Sequence, residues 1–428
     1  MPWYADGRLR FALGVEDTFI HDARPGGRPL DEYELTEHYA RLTDDIALLG
    51  STGADQVRWG VPWYKVNPEP GRYDFGWLDR AAEAFAAHGV EVLVDLLHYG
   101  CPRWLDNAFL HTDYPARFAE YAATVAERYR DVWHVYTPVN EPVVTAERCG
   151  EAGAWPPFLV GADGFVRVLA AVARGAVLAQ RAVAEAGPTD VSFVHVEATR
   201  RYGGETWRYP EAVAHLTERQ FLHQDLVTGR VGDEHPLRSH LAAHGIGDRE
   251  LAWFAEHAVA PDVLGVNHYP HVSTVQVTDT GPAARPDEWG LRHDGAEGLA
   301  DILRTWHARY PAVPLHLTET GDPGDVERRI RWLEQSVRTV VDLRADGMDL
   351  VGYTWWSLFD MVGWDYREST RPVAEHLMGH GLWDLVPDEL TGLERVRTAA
   401  ADTFTALAEQ FGAASSTHPD PHPGRGDR

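Results

Sequence analysis

Two glutamates, Glu141 and Glu319, each follow an apolar run of the kind that forms a buried strand. The first lies in the segment YTPVNEPVV and the second in LHLTETG. A pair of carboxyl groups is what glycosidic bond cleavage requires, because one protonates the leaving oxygen while the other attacks the anomeric carbon or activates water. The two glutamates are therefore the first candidates for chemistry in this chain.

Further polar and aromatic side chains also fall at the ends of apolar runs: Arg58, His98, Tyr99, Asn140, Asn267, His268, Tyr269, Trp355, Trp356 and Asp360. In barrels of alternating strands and helices, the carboxyl ends of the strands form the active-site face. We therefore expect these side chains to surround one mouth together with the two glutamates.

Eight apolar, β-rich runs recur along the chain, and several are continuous rather than alternating, as in VEVLVDLL. Continuous runs are typical of strands buried on both faces of a parallel sheet. The eight predicted strands are Leu9–Val15, Gln56–Trp59, Glu91–Leu96, His134–Pro138, Val191–Val196, Val263–Asn267, Leu315–Thr318 and Leu350–Trp356.

Amphipathic helical segments such as LDRAAEAFAAHG and YPARFAEYAATVAERYRD separate these runs. Eight alternating units predict an α/β fold, a (β/α)8 TIM barrel forming a single domain with loop insertions over residues 1–410. A doubly wound open sheet is the alternative, weakened because no Gly-rich phosphate loop follows the first strand. Length alone also permits two domains. Residues 411–428 are rich in Pro, Gly and polar residues and are predicted to be a disordered tail.

Composition limits the function classes. The net charge of −26 disfavours nucleic acid and anionic lipid as partners and favours a neutral or cationic small molecule. The chain has two cysteines, Cys101 and Cys149, which are too few for a disulfide framework or a Cys-rich zinc site. The N-terminus lacks the features of a secretory signal and no run is long enough to span a membrane, which predicts a cytoplasmic protein.

Six motifs in order resemble glycoside hydrolase family 1, the β-glucosidase family of retaining barrel enzymes. YTPVNEPVV resembles the acid/base signature T-x-N-E-P, and LHLTETG resembles the nucleophile signature T-E-N-G. DLLHYGCPRWL is similar to L-x-H-W-x-x-P-x-x-L, GVNHY to G-x-N-Y-Y, and GYTWWSLFDMVGW to the eighth-strand segment. With the first helix and second strand, the likeness runs from about residue 9 to residue 385.

The resemblance implies a role for each matching residue. Glu141 would be the acid/base and Glu319 the nucleophile, with Arg58 and Tyr269 supporting the ionised nucleophile. The remaining matches would bind the sugar: His98, Asn140, Asn267, Trp356 as a stacking platform, and Trp364. The implied substrate is a small-molecule glycoside, cleaved by exo action with retention, and the mechanism needs neither a metal nor a cofactor.

Three departures from the family pattern fall in its sugar-binding set. Gly363 stands where the family has a glutamate before the last tryptophan, and Met361 replaces an asparagine. The N-terminal Gln of the family is absent, and Glu16, Asp17, His21 or Asp22 could replace its contacts. Because polar partners dominate sugar selectivity, we expect a glycone other than glucose, such as a deoxysugar.

Other functions on the same fold stay open at the sequence level. A transglycosidase uses the same covalent intermediate and differs only in the acceptor. An endo-glycanase would have a long cleft, and a non-catalytic sugar-binding protein would usually lack one carboxylate. The oligomeric state has no sequence signal.

Overall fold

Eight parallel strands form a closed barrel in the computed structural model, which describes residues 2–21, 24–279 and 289–412. We number them β1 to β8 along the chain. They are Arg10–Gly14, Gln56–Gly60, Glu91–Asp95, Val135–Thr137, Ser192–Ala198, Val263–His268, Leu315–Thr320 and Leu350–Trp355.

The barrel closes where the first and last strands meet. β1 pairs with β8 through the register Arg10↔Gly352 to Leu13↔Trp355, and its other edge pairs with β2. All neighbouring strands are parallel, so their carboxyl ends lie at one face. This closure confirms the predicted TIM barrel, and the doubly wound alternative is wrong.

Helices cover the outside of the barrel because each presents one apolar face to the strands. The α-helices are Glu32–Leu35, His38–Gly50, Trp63–Val66, Gly76–His88, Tyr114–Arg128, Pro142–Ala146, Gly161–Ala186, Pro210–Arg219, Leu222–Val227, Arg238–Ala243, Asp248–Glu256, Gly295–Arg309, Val326–Ala345 and Ala399–Phe411. A π-helix spans Glu147–Glu151, and short 3-10 turns lie at Trp3–Ala5, Ala108–Leu110, Thr206–Arg208, Trp364–Glu368 and Val373–Glu375. In the described ranges no helix is long and apolar enough to cross a membrane.

The end of the barrel opposite the catalytic face is filled by apolar side chains. They are Leu93, Val135, Val194, Val196, Val263 and Val351, with Trp3 and Tyr4 packed against them. Trp3 donates to the Ser192 hydroxyl at 3.1 Å, and Tyr4 donates to Asp262 at 2.9 Å. The N-terminal turn therefore packs against the bottom of the barrel.

Short strands outside the barrel shape its upper rim. Antiparallel pairs join Phe19–Ile20 to Leu30–Asp31, Met361–Val362 to Leu377–Met378, and Trp383–Asp388 to Gly392–Arg397. A separate three-stranded sheet has the order Gly290–Arg292, Thr274–Val277, Arg201–Gly204.

The polar sequence between residues 274 and 298 is typical of a loop at the active-site rim, but it contains two strands of this three-stranded sheet. The polar residues hide the strands because the apolar face of the sheet is small, with Val275, Val277 and Tyr202 packed beside Trp289. The predicted disorder of residues 413–428 lies outside the described residues.

Candidate active site

The two glutamates identified from the sequence line one cavity of about 250 Å³ at the carboxyl ends of the barrel strands. Glu141 follows β4 and Glu319 belongs to β7, so the closed sheet brings residues 178 positions apart in the chain to the same cavity. Both side chains are almost fully buried, at 5% and 4% exposed. The two carboxyl groups are therefore shielded from bulk water and exert charge effects on each other.

Glu319 is held by a cation and a hydroxyl group. The Arg58 guanidinium forms an ion pair with Oε1, and the Tyr269 hydroxyl donates to Oε2 at 2.7 Å. Burial raises the pKa of Glu319 to about 8, and the charge of Glu141 acts in the same direction, whereas Arg58 and Tyr269 oppose the rise. The contacts favour placing the negative charge of the pair on Glu319.

Glu141 has no cation among its described contacts. Its Oε1 accepts from the Asn267 side-chain nitrogen at 2.7 Å, and its Oε2 is hydrogen-bonded by the Tyr99 hydroxyl. Both partners are neutral, in contrast to Arg58 beside Glu319. The environments of the two carboxyl groups thus differ in the direction needed for one proton donor and one anion.

Tyr99 and Glu141, which are in contact, both have a strained backbone, as do Glu37, Asn107, Ala108 and Phe158 elsewhere in the described chain. Tyr99 has φ +73° and Glu141 has φ +43°, both in the left-handed region that residues other than glycine rarely adopt. Each such conformation costs roughly 1–3 kcal/mol and persists only where the surroundings impose it. The strain supports a functional constraint on these two neighbouring residues.

Arg58 is the centre of a fully buried polar network beneath the cavity. Besides Glu319, its guanidinium donates to Asp95 at 2.6 Å and to the Asn140 side-chain oxygen at 2.7 Å. Asn267 also donates to that oxygen at 3.2 Å. These contacts fix the orientation of the Asn140 amide, whose nitrogen faces His98 at 2.9 Å.

His98 lines the cavity and lies between two acids. Burial would lower the pKa of His98, but Asp17 and Asp95 together raise it well above its ordinary value. The Asn140 amide nitrogen, however, needs an unprotonated Nε2 on His98, because its oxygen is already occupied by Arg58 and Asn267. We therefore assign a neutral imidazole with its proton on Nδ1, which faces Asp17 at 2.7 Å.

Asp17, Asp95 and His98 form a group among the described residues whose ligand atoms have spacing suited to a cation. Arg58 already supplies a positive charge 2.6 Å from Asp95. A metal ion there would repel the guanidinium, so the chemistry of the donor set fits a polar network better than a metal centre.

Trp356 follows β8 and is almost fully buried beside His98 and Arg58. Its indole stacks at 6.0 Å from the His98 ring with an interplanar angle of 21°, and the Arg58 guanidinium lies 5.2 Å from its centroid. Its Nε1 donates to Glu16 at 2.7 Å. A Cβ at Gly14 would lie 1.8 Å from the indole, so glycine at the end of β1 makes room for this ring.

Trp364 lines the cavity from the segment after β8, and its buried Nε1 has no hydrogen-bond partner in the structure. Gly363 precedes it, and a Cβ there would lie 3.1 Å from the sulfur of Met378. Met361 and Met378 also line the cavity. The surroundings of Gly363 therefore combine two apolar methionines with two polar groups, the Trp364 indole N–H and Asp365 Oδ1, which would lie 2.5 Å from an added Cβ.

The structure thus brings the two glutamates, Arg58, His98, Asn140, Asn267, Tyr269 and Trp364 to this cavity or directly beneath it. The expectation that Asp360 joins them is wrong, because both its carboxylate oxygens accept from the backbone N–H groups of Gly381 and Leu385. Asp22 lies outside the described residues. Tyr99 was expected at the barrel mouth, although no role was assigned to it, and it lines the cavity. Other lining residues were not predicted, notably His271, Met378 and His380. They come from loops whose paths no local pattern indicates.

Comparisons with known proteins agree with this geometry. A family model described as Glycosyl hydrolase family 1 matches residues 2–191 and 256–371. Thermostable beta-glucosidase B of Thermobispora bispora is 30% identical over 407 residues, covering 87% of this chain and 82% of the relative. A bifunctional beta-D-glucosidase/beta-D-fucosidase of Bifidobacterium breve is 26% identical over 414 residues, covering 83% and 86%.

Among solved structures, a beta-glucosidase from Thermotoga maritima in complex with deoxynojirimycin superposes with a TM-score of 0.78. The superposition covers 95% of this chain and 98% of the Thermotoga maritima chain, and the two are 18% identical in sequence. At that identity the likeness establishes the fold, and the family match rests on the sequence comparisons.

Proposed function

This chain belongs to glycosyl hydrolase family 1 and is a glycoside hydrolase, and from that membership we propose that it is a retaining, exo-acting β-glycosidase. The observation that carries the proposal is the pair of buried carboxyl groups facing one cavity, one beside a cation and one beside neutral donors. Glu319 is the proposed nucleophile and Glu141 the proposed acid/base.

The proposed reaction has two steps. In the first, a Glu319 oxygen bonds to the anomeric carbon while the bond to the aglycone breaks, and Glu141 gives its proton to the leaving oxygen. In the second, Glu141 takes a proton from water, the water oxygen bonds to the anomeric carbon, and Glu319 leaves. Each step inverts the anomeric centre, so the product keeps the substrate configuration.

Arg58 and Tyr269 support this mechanism by stabilising the negative charge on Glu319 before attack and after release. Asn140 is proposed to bind a glycone hydroxyl, and Trp356 to stack on the sugar ring. Both ring nitrogens of His98 already face Asn140 and Asp17, so His98 is proposed to act on the glycone by orienting Asn140. Asn267 donates to both Asn140 and Glu141, and we assign it to positioning the acid/base.

Exo action is supported by the size of the cavity, about 250 Å³, which suits a single glycone rather than a long chain. Of the alternatives, an endo-glycanase would need an extended cleft, and a sugar-binding protein would not need two carboxyl groups in opposite environments. A transglycosidase would share every residue named above. The cytoplasmic location stays a prediction.

We propose further that the glycone has fewer hydroxyl groups than glucose. Gly363 offers no side chain, and Met361 and Met378 cover that part of the cavity with apolar surface. A buried hydroxyl without a polar partner loses its hydrogen bonds to water, which disfavours the fully hydroxylated sugar. The relative named as a beta-D-glucosidase/beta-D-fucosidase supports a 6-deoxy glycone, because fucose lacks the 6-hydroxyl.

The test is covalent trapping with activated 2-deoxy-2-fluoro β-glycosides of glucose, galactose and fucose. We expect mass spectrometry to find one glycosyl unit on Glu319, formed fastest with the fuco reagent. Glu319→Gln should not be labelled, whereas Glu141→Ala should still be labelled, because an activated leaving group needs no proton. Ordinary aryl glycosides should lose roughly 10²- to 10⁴-fold in rate in Glu141→Ala.

Labelling of another residue, or release of the inverted anomer in NMR, would contradict the assigned mechanism. A β-glucoside turnover that greatly exceeds that of every other glycoside would contradict the glycone proposal alone.

A further inference from the structure

The hydroxyl of Tyr99 is held against the proposed acid/base in the catalytic cavity. Tyr99 follows β3, lines the cavity and is 4% exposed. Its hydroxyl donates to Glu141 Oε2. The family pattern L-x-H-W has a tryptophan at this position, so the hydroxyl is a departure of this chain. The reaction proposed above gives Tyr99 no part.

Packing and backbone geometry fix Tyr99 in place. Three aromatic rings surround its side chain, with centroids 4.7, 4.9 and 5.6 Å away: His98, Trp155 and Trp364. The next residue, Gly100, passes so close to the chain after β1 that a Cβ there would lie 1.9 Å from the Phe19 carbonyl oxygen. The left-handed backbone of Tyr99 is therefore imposed by its surroundings, and the hydroxyl has a fixed position.

Both oxygens of the Glu141 carboxyl group contact a neutral donor. The Tyr99 hydroxyl occupies Oε2, and the Asn267 side-chain nitrogen occupies Oε1 at 2.7 Å. The Asn267 amide is itself oriented by the Thr318 hydroxyl, which donates to its oxygen at 2.7 Å. With a fixed donor at each oxygen, the carboxyl group is held in one orientation before a substrate binds, which favours proton transfer.

A phenol is suited to a carboxyl group that changes its charge during the reaction. Its oxygen can accept from a protonated carboxyl group, and its O–H can donate to a carboxylate. The second contact is roughly twice as strong, because one partner is an ion. The hydroxyl of Tyr99 therefore favours the ionised form of Glu141, which makes Glu141 a better proton donor.

Tyr99 itself stays protonated while this happens. Burial raises the pKa of Tyr99 well above its ordinary value, and the charges of Glu141 and Glu319 add to the rise. The phenol is therefore a neutral donor over the whole range in which the carboxyl pair titrates.

Other titratable groups act on Glu141 from neighbouring strands or share its cavity. Those that interact with its charge lie on or after β5, β6 and β7: Glu197, Arg200, Tyr269 and Glu319. The cavity also contains Glu16 and three histidines, His98, His271 and His380. Burial lowers the pKa of His271 and of His380 to about 4, so neither changes its charge at alkaline pH.

We propose that Tyr99 is a positioning residue for acid/base catalysis, whose hydroxyl orients Glu141 and stabilises the carboxylate that forms when Glu141 protonates the leaving oxygen. The inference rests on the proposed function, in which Glu141 is the acid/base. In this role Tyr99 gives up no proton and bonds to no atom of the substrate. Its effect should be largest for leaving groups that most need a proton.

The experiment compares Tyr99→Phe with wild type on two β-glycosides of the sugar that wild type cleaves best. A phenyl glycoside needs protonation of its leaving oxygen, and a 2,4-dinitrophenyl glycoside does not. We expect kcat/KM to fall by about 10- to 100-fold for the phenyl glycoside and to stay within about threefold for the dinitrophenyl glycoside. The alkaline limb of the phenyl profile should move to higher pH, because the hydroxyl no longer favours ionised Glu141.

A role of Tyr99 in packing or in sugar binding would give a different result. It would lower kcat/KM by the same factor for both substrates and leave the alkaline limb in place, and this outcome would overturn the proposal. A second variant carries 3-fluorotyrosine at position 99, which keeps the shape of the side chain but makes its hydroxyl a stronger donor. This variant should move the alkaline limb to lower pH, and no shift, or a shift to higher pH, would refute the proposal even if Tyr99→Phe failed to fold.

Tyr114→Phe is the matched control. Tyr114 is fully buried in the helix Tyr114–Arg128, and its hydroxyl has no hydrogen-bond partner in the described part of the chain. Its kcat/KM should stay within about threefold of wild type for both substrates.

Failure of the proposed function would be recognised separately. In that case wild type would form no covalent adduct on Glu319 and would cleave neither glycoside. An active, labelled wild type with equal losses for both substrates in Tyr99→Phe would refute only the role of Tyr99.

Discussion

At the scale of single residues, the contacts of each glutamate support its proposed role more directly than its sequence motif does. Glu319 shares an ion pair with Arg58, while Glu141 contacts Tyr99 and Asn267. The motifs TPVNEP and LTETG were enough to find the pair because they sit directly at strand ends. The Tyr99 contact could not be predicted, because it depends on a left-handed backbone conformation that local sequence does not indicate.

The pH dependence of the reaction should follow from the proton shared by this pair. The pKa of Glu319, raised to about 8 by burial and by Glu141, means that the coupled pair keeps one proton up to that pH. Because the pKa is raised, the proton is lost as pH increases through it, and the general acid is lost with it. We expect kcat/KM to fall tenfold per pH unit well above pH 8.

The measurement is kcat/KM against pH for an aryl glycoside with a poor leaving group. A 2,4-dinitrophenyl glycoside serves as the control, because its first step needs no proton and its alkaline fall should be smaller. If kcat/KM fell equally for both substrates at alkaline pH, the shared proton could not be the one that protonates the leaving group.

At the scale of secondary-structure elements, the eight barrel strands follow the predicted runs to within about two residues at each end. They were predictable because strands buried on both faces are rich in apolar and β-branched residues, which distinguishes them from the more polar segments on either side. The strands Thr274–Val277 and Gly290–Arg292 were missed because one side of their sheet is largely polar. Met378 reaches the site through pairing of Met361–Val362 with Leu377–Met378, a contact that no periodicity specifies.

Substitution at Gly14 should disturb both the barrel and the site, because β1 and the Trp356 ring are in contact there. The Cβ of Gly14→Ala would lie 1.8 Å from the indole, so the ring has to move. We expect the free energy of unfolding to fall by about 1–3 kcal/mol and kcat/KM to fall at least tenfold. Urea denaturation and steady-state kinetics measure the two effects.

The control for this variant is Gly232→Ala, where the added Cβ meets no atom within 4 Å. Its unfolding free energy should change by less than about 0.5 kcal/mol. A Gly14→Ala enzyme with wild-type stability and turnover would show that Trp356 does not need its present position.

At the scale of the whole molecule, charge is the main global property that the sequence provides. The chain carries a net charge of −26, and its catalytic cavity contains Glu16, Glu141 and Glu319. Such a field disfavours the approach and binding of anions. The expectation of a neutral or cationic substrate stays a prediction, and the three carboxyl groups that line the cavity support it.

Phosphorylated glycosides should accordingly be poor substrates. We expect 4-nitrophenyl 6-phospho-β-D-glucoside to show a kcat/KM at least about 100-fold below that of the unphosphorylated glucoside at low ionic strength. Raising the salt concentration from about 10 mM to about 150 mM should reduce the difference in kcat/KM between the two glucosides, because salt screens the repulsion between the phosphate and the acidic protein. A preference for the phosphorylated substrate, or a gap independent of salt, would contradict this reading of the charge.

The hydrogen bond between Trp356 and Glu16 joins residues 340 positions apart, across the line where the first and last barrel strands meet. During synthesis on the ribosome, Glu16 therefore cannot form its hydrogen bond with Trp356 until most of the polypeptide has emerged. The recovery of enzymatic turnover during refolding should therefore report when the first and last barrel strands have paired. A refolding chain in which they have not yet paired can be compact and still inactive.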